Sequence, residues 1–136
     1  DFLLGNGTAA LTNKLSILEN GNVGINDNTP SYKLDVNGTG RFTSTVTATN
    51  FILSSDETLK DNIKEIDTKH VDVDWKNFEL KSEPGIKRAG VIAQELEIKH
   101  PEFVRTADDG LKSVAYIDLL ITKIAELEAR LEKLEK

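Results

Sequence analysis

The 136-residue sequence contains no cysteine and two histidines. Disulfide staples and thiolate metal sites are thereby excluded, although a cysteine-free chain says little about compartment, because disulfide-free fibres also work outside cells. His70 and His100 stand 30 residues apart with no metal-ligand neighbours in the sequence, so surface or capping roles are expected for them, not metal binding. No apolar run approaches the roughly 18 to 20 residues that span a bilayer, and the N-terminus lacks the basic-then-apolar pattern of a signal peptide. Excess positive charge is missing too: Lys and Arg number 17 against 23 Asp and Glu, a net charge of −6 that offers no field for tracking nucleic-acid phosphates. Hydrophobic residues make up only 38%, unevenly spread, so much of any core is expected to come from partner chains. The first residue is Asp1, which leads us to expect a piece of something longer.

What is present falls into three stretches. Residues 1–54 carry most of the nine glycines with many Asn and Thr, and the dipeptides Asn6-Gly7, Asn20-Gly21 and Asn37-Gly38 predict hairpins or tight corners between short strands such as 33–36 and 41–46. One copy of so polar a segment buries too little to offset a chain entropy of roughly 1 to 2 kcal/mol per residue. The segment is therefore flexible or intertwined with identical copies, and its apolar alternation favours intertwining. The turn-rich "GNGTAAL" and "VNGTGRF" lack the following helix of a phosphate loop and read as turns.

Residues 55–115 are denser, with the single Trp. Ser55 or Asp56 can cap a helix over about 57–66, with Leu59, Ile63 and Ile66 on one face. "WKNFEL" followed by "GIKRAG" predicts a hairpin, "VIAQELEIKH" a helix stopped by Pro101, and Trp75, Phe78 and Leu80 a share of the core of a compact α+β unit. In residues 116–136, Ile117, Leu120, Ile124, Leu127, Leu131 and Leu134 alternate spacings of three and four, the seam of a coiled coil, with a helix packed on its own domain as the alternative.

At the border of the first two stretches Lys60 lies five residues after Ser55. A serine hydroxyl becomes a nucleophile when a base takes its proton, and a desolvated lysine amine can be that base, so a Ser/Lys pair needs no histidine. Spacing alone favours the plainer reading, a helix cap and a solvated lysine, because a lysine five residues after a serine is common by accident.

The wider wording decides between them. "SSDETLKDNIKEI", then "GIKRAGVIAQELEIKHPEFV", then "SVAYIDLLITKIAELEARLEKLEK" closely resembles the C-terminal intramolecular chaperone of bacteriophage tail fibres, tailspikes and neck appendages, the peptidase S74 family. The lead-in "NGNVGINDNTPSYKLDVNGTGRFTSTVTATNFI" is similar to the fibre segment that precedes it. The resemblance implies a homotrimer, with an intertwined β-rich fibre end (1–54), an α+β chaperone and autoprotease (55–115) and a trimeric coiled coil (116–136). It also implies a virion setting and contact with the upstream fibre of the same chain; no cofactor, metal, nucleic-acid partner or membrane insertion is expected.

By position it makes Ser55 the nucleophile, Lys60 its base and Ser55–Asp56 the scissile bond. Asp56, Asn62 and Gln94 match motif positions and would place the bond or steady an oxyanion, with a helix-surface amide the alternative for Asn62. Attack by the Ser55 hydroxyl on its own carbonyl would close a four-membered ring. The cut then lies before Ser55, or the hydroxyl acts through a water or on a neighbouring chain. Two other readings compete with the self-cleaving chaperone. One is a trimerisation module with inert Ser55 and Lys60. The other is a self-cleaving domain of membrane-tethered eukaryotic transcription factors, against which the Asn/Gly/Thr-rich lead-in argues.

Overall fold

The computed structural model describes residues 15–136, in two compact units divided between Ser55 and Asp56. The predicted turn at Asn6-Gly7 and the "GNGTAAL" stretch lie outside the described residues.

The first unit holds one three-stranded sheet of order β1-β2-β3, formed by β1 (Leu15–Ile17), β2 (Val23–Ile25) and β3 (Leu34–Val36). The Asn20-Gly21 turn joins β1 to β2 as the sequence predicts: Gly21 N–H donates to Leu18 O (2.9 Å), Leu18 N–H to Asn22 O (3.0 Å), and Gly21 has φ +80°. Only glycine takes that left-handed position without strain. The β2 and β3 strands pair in parallel across a connection of only eight residues, 26–33.

So short a crossover is feasible because the connection folds against the sheet instead of over a helix. Asn22 Nδ2 donates to Pro30 O (2.9 Å), and a Cβ on Gly24 would collide with the carbonyl oxygen of Asp27. Asn37-Gly38 is no hairpin: Asn37 N–H donates to Ile25 O, and no strand forms from residue 37 to residue 56. The strand expected over 41–46 is therefore absent. A strand needs a neighbouring ladder, and a single chain supplies none there.

The second unit is the expected α+β arrangement. Strands β4 (Lys76–Leu80) and β5 (Glu83–Gly90) make the predicted hairpin. Helix α1 (Ala93–Lys99) stops at His100 before Pro101, which opens a 3₁₀ turn. Strands β6 (Val104–Thr106) and β7 (Lys112–Val114) form a second hairpin, and helix α2 runs from Tyr116 to Glu135. The β6–β7 turn repeats the chemistry of β1–β2, with Gly110 at φ +80° donating to Ala107 O and Asp109 Oδ1 accepting from Leu111 N–H.

Two expectations fail here. The helix over 57–66 is one 3₁₀ turn, Glu57–Leu59, followed by irregular chain. Short helices draw most of their stability from packing an apolar face, yet Leu59, Ile63 and Ile66 remain 69%, 66% and 45% exposed. Asn62, at φ +55°, breaks the helical path outright. Nor do Trp75, Phe78 and Leu80 form the core. Trp75, just ahead of β4, and Leu80, at its end, are 47% and 41% exposed, and the core is Val71, Val91, Leu96, Phe103, Val104 and Leu119.

Helix α2 divides its surface between two tasks. Leu119 is completely buried against its own unit, as is Glu126 two turns on, while Ile117, Leu120, Ile124, Leu127, Leu131 and Leu134 stay 44% exposed or more. The helix packs on its own domain through one face and leaves the heptad seam open.

Candidate functional site

Ser55 closes the first unit and Asp56 opens the second, both on exposed backbone. Asp56 is extended (φ −62°, ψ 138°) and caps the 3₁₀ turn: its Oδ1 accepts from Thr58 Oγ1 (2.6 Å) and Thr58 N–H (2.9 Å). These two bonds, the hydroxyl's first, hold its carboxyl below the usual carboxylate range. The helix-capping role left open between Ser55 and Asp56 thus falls to Asp56.

Lys60 ends the same turn, where its N–H donates to Glu57 O (3.0 Å) and its backbone returns to an extended path. Asp56 and Lys60 are thereby held at the two ends of one turn. Asn62 follows on exposed chain in the left-handed conformation, which rules out the helix-surface amide considered for it. Gln94 lies elsewhere, on the first turn of α1, where it lines an open cavity of about 500 Å³ with Phe78, Leu80, Val91, Val114 and Tyr116 among others.

The strand of irregular chain after Lys60 is fastened again at residues 70–71, and the fastening is a buried carboxylate. Glu126 of α2, 1% exposed, receives Lys123 Nζ (2.6 Å), Val71 N–H (3.0 Å) and His70 Nδ1 (2.9 Å), with Arg130 at 3.4 Å. Lys123 Nζ also donates to Val71 O (2.8 Å), so one residue's backbone is gripped at both its polar groups. The Lys123 ammonium first, then His70 and the Val71 amide, pull the Glu126 carboxyl down to about 2 against the opposing effect of burial. A buried carboxylate is tolerable because every approach to it is a donor.

Residues 55–105 match the Peptidase_S74 family, the chaperone of endosialidase. No curated protein matches the chain. The S74-type segment opens at Ser55 and takes in the 3₁₀ turn, the β4–β5 hairpin, α1 and the first residues of β6, and leaves α2 beyond its end. Within it the "AGVIAQEL" run has a structural explanation. Gly90 lets the Tyr116 hydroxyl come close enough to accept from Val91 N–H (2.9 Å), where a Cβ would displace it. That contact ties the segment to the first residue of α2.

Sequence reasoning missed His70, Lys123 and Glu126. The only available signal was an acid beside a heptad seam, and periodicity does not separate one buried Glu from the exposed Glu128, Glu132 and Glu135 on the same helix. Among the described residues no group of His, Cys, Asp and Glu could hold a metal, and no helix is long and apolar enough to cross a membrane.

Proposed function

We propose that this chain is the end of a phage tail fibre or tailspike joined to its intramolecular chaperone, which assembles as a homotrimer through α2 and then cuts itself free at Ser55–Asp56. The observation that carries this reading is the S74 match, which begins at Ser55 itself. The open seam of α2 supports the trimer, since its six aliphatic residues at heptad positions are 44% exposed or more. The domains of the reading are the fibre end (1–54), the chaperone (55–115) and the coiled coil (116–136), and its setting is the virion, with the chaperone portion made in the host cytoplasm and released.

Intertwined or laterally packed fibre chains have few local contacts, so each must lose entropy before pairing, and register slips are easy. A chaperone that trimerises first raises the effective concentration of the three fibre segments and fixes their register. Cleavage then removes the clamp from a kinetically trapped product. In the cut, Lys60 takes the proton of the Ser55 hydroxyl, whose oxygen bonds to the scissile carbonyl carbon. The carbon–nitrogen bond breaks, the departing amine takes the proton, and water hydrolyses the resulting ester. Asp56, held by Thr58, fixes the departing side; Asn62 and Gln94 are the candidates for steadying the oxyanion. Because a Ser55 hydroxyl does not reach its own carbonyl without a four-membered ring, the ester route runs on the scissile carbonyl of a neighbouring chain; in the alternative through a water, the water oxygen bonds to the carbonyl carbon, the amine leaves with a proton and no ester forms.

A non-catalytic trimerisation module is the second reading, favoured by one observation: the helix N-terminus that would align Ser55 with Lys60 is a three-residue 3₁₀ turn in the single chain. Intact mass under denaturing conditions separates the two for freshly folded wild type, Ser55→Ala and Lys60→Ala. A fragment ending at Ser55 that disappears in both variants establishes the protease. Full-length mass in all three, from an assembled protein, leaves the module alone.

A further inference from the structure

The sheet of the first unit is inside out. Its registers place Leu15 beside Ile25 and Val36, and Ile17 beside Val23 and Leu34, and strand alternation puts all six on one face. The other face carries Ser16, Gly24 and Asp35. In an isolated sheet the aliphatic face is expected inward, yet here Gly24 is buried beneath the 26–33 connection, and Ser16 beside it is buried as well. Ile17, Ile25, Leu34 and Val36 are 43%, 43%, 58% and 37% exposed instead. The connection cannot exchange sides, because Asn22 and Gly24 fix it against the polar face.

We propose that this aliphatic face is the contact between copies of the chain in the fibre segment, packing sheet against sheet, with each copy keeping its own three-stranded ladder. The proposal rests on the homotrimer reading and deepens it. The occupant is a second copy for three reasons. The face bears no charge or hydrogen-bonding side chain, so it complements only another apolar surface, and its own duplicate is one. The open patch is on the order of 350 Å², against the ~800 Å² per partner that a stable complex covers, so it holds only in an assembly secured elsewhere as well. The Ile/Leu seam of α2 is that second surface, on the same chain and open in the same way. Strand exchange is disfavoured, because both edges of β2 are already paired within the chain.

The absence of native cysteine makes the test clean, since a thiol cross-link reports only introduced residues. Full-length Ile25→Cys, at the middle strand of the face, is compared with Tyr32→Cys, which lies on the exposed connection. Each is made in a Ser55→Ala background to keep the chain whole, and treated with a short bis-maleimide, because facing sheets lie about 10 Å apart, beyond the roughly 7 Å between Cα atoms that a disulfide bridges. The expected result is a two-chain species on a denaturing gel for Ile25→Cys and none for Tyr32→Cys. Sedimentation of the same samples separates the failures. A monomer overturns the homotrimer reading itself and this proposal with it. A trimer in which Ile25→Cys stays uncrosslinked overturns this proposal alone, whether its thiol reacts freely with maleimide (an open face) or is protected (a face covered by the chain's own N-terminal residues).

Discussion

Leu119 and Ile124 stand five residues apart on α2 and do different work, which makes them a discriminating pair. Leu119 is 0% exposed among Val71, Val91, Leu96, Phe103 and Val104, so Leu119→Ala removes three buried carbons and leaves a cavity in the unit's own core. The expected cost is about 2–5 kcal/mol, independent of protein concentration. For a unit of this size, each kcal/mol lowers Tm by roughly 4–8 °C.

Ile124 is 55% exposed, so about half of its burial energy has not been realised in the single chain. Full burial of such a side chain is worth about 1.5–3 kcal/mol, so Ile124→Ser forfeits ~1 kcal/mol or a little more per chain on assembly and about 3–4 kcal/mol per trimer. That amounts to between two and three powers of ten in the association constant, with little change in the stability of the dissociated unit. Sedimentation equilibrium over a dilution series and thermal melts at two concentrations read both quantities. Should Ile124→Ser leave association unchanged, the seam is no interface. Should it instead lower Tm equally at every concentration, Ile124 belongs to the unit's own core and the division of the helix drawn above is wrong.

The Glu126 fastening predicts an acid limit. Its folded pKa, about 2, lies below the ordinary glutamate value of 4.5, so its contribution to stability is complete above about pH 5 and is lost as pH falls from there towards 2. Glu126→Gln is expected to be less stable at neutral pH and to show a flatter loss over that window in urea melts; a loss as steep as wild type would assign the acid sensitivity to other carboxylates. Gly24→Ala drives a methyl into the Asp27 carbonyl and is expected to cost about 1–3 kcal/mol within the first unit. Faster amide exchange at Val23 and Asn37, both hydrogen-bonded across the sheet, is the readout, and unchanged exchange would mean that the connection does not rest on β2 as described.

Local chemistry was legible in the sequence wherever a few neighbouring residues suffice. The alternating three-and-four spacing from Ile117 to Leu134 predicted one helix, and α2 runs unbroken from Tyr116 to Glu135. Asn20-Gly21 gave its turn because Gly21 occupies a left-handed position, Pro101 ended α1, and the β4–β5 hairpin formed where expected. Ser55, Lys60, Asp56, Asn62 and Gln94 came from motif wording, and the fold positions them on an exposed turn, the chain after it and the start of α1.

What depends on a distant surface was not legible. Leu59, Ile63 and Ile66 have helical spacing yet form no helix, because amphipathic spacing stabilises a helix only when something covers its apolar face. Trp75 looked like core, but size does not place a side chain under a second layer. Glu126 looked like any other acid of a charged helix until His70 and Val71, 56 and 55 residues away, and Lys123 of the preceding turn closed around it. The sequence by itself determined turns, the helix period and the motif order, since these follow from backbone preferences of adjacent residues. Only the tertiary structure decided which faces are spent within the chain and which stay open, because burial is settled between residues far apart along it.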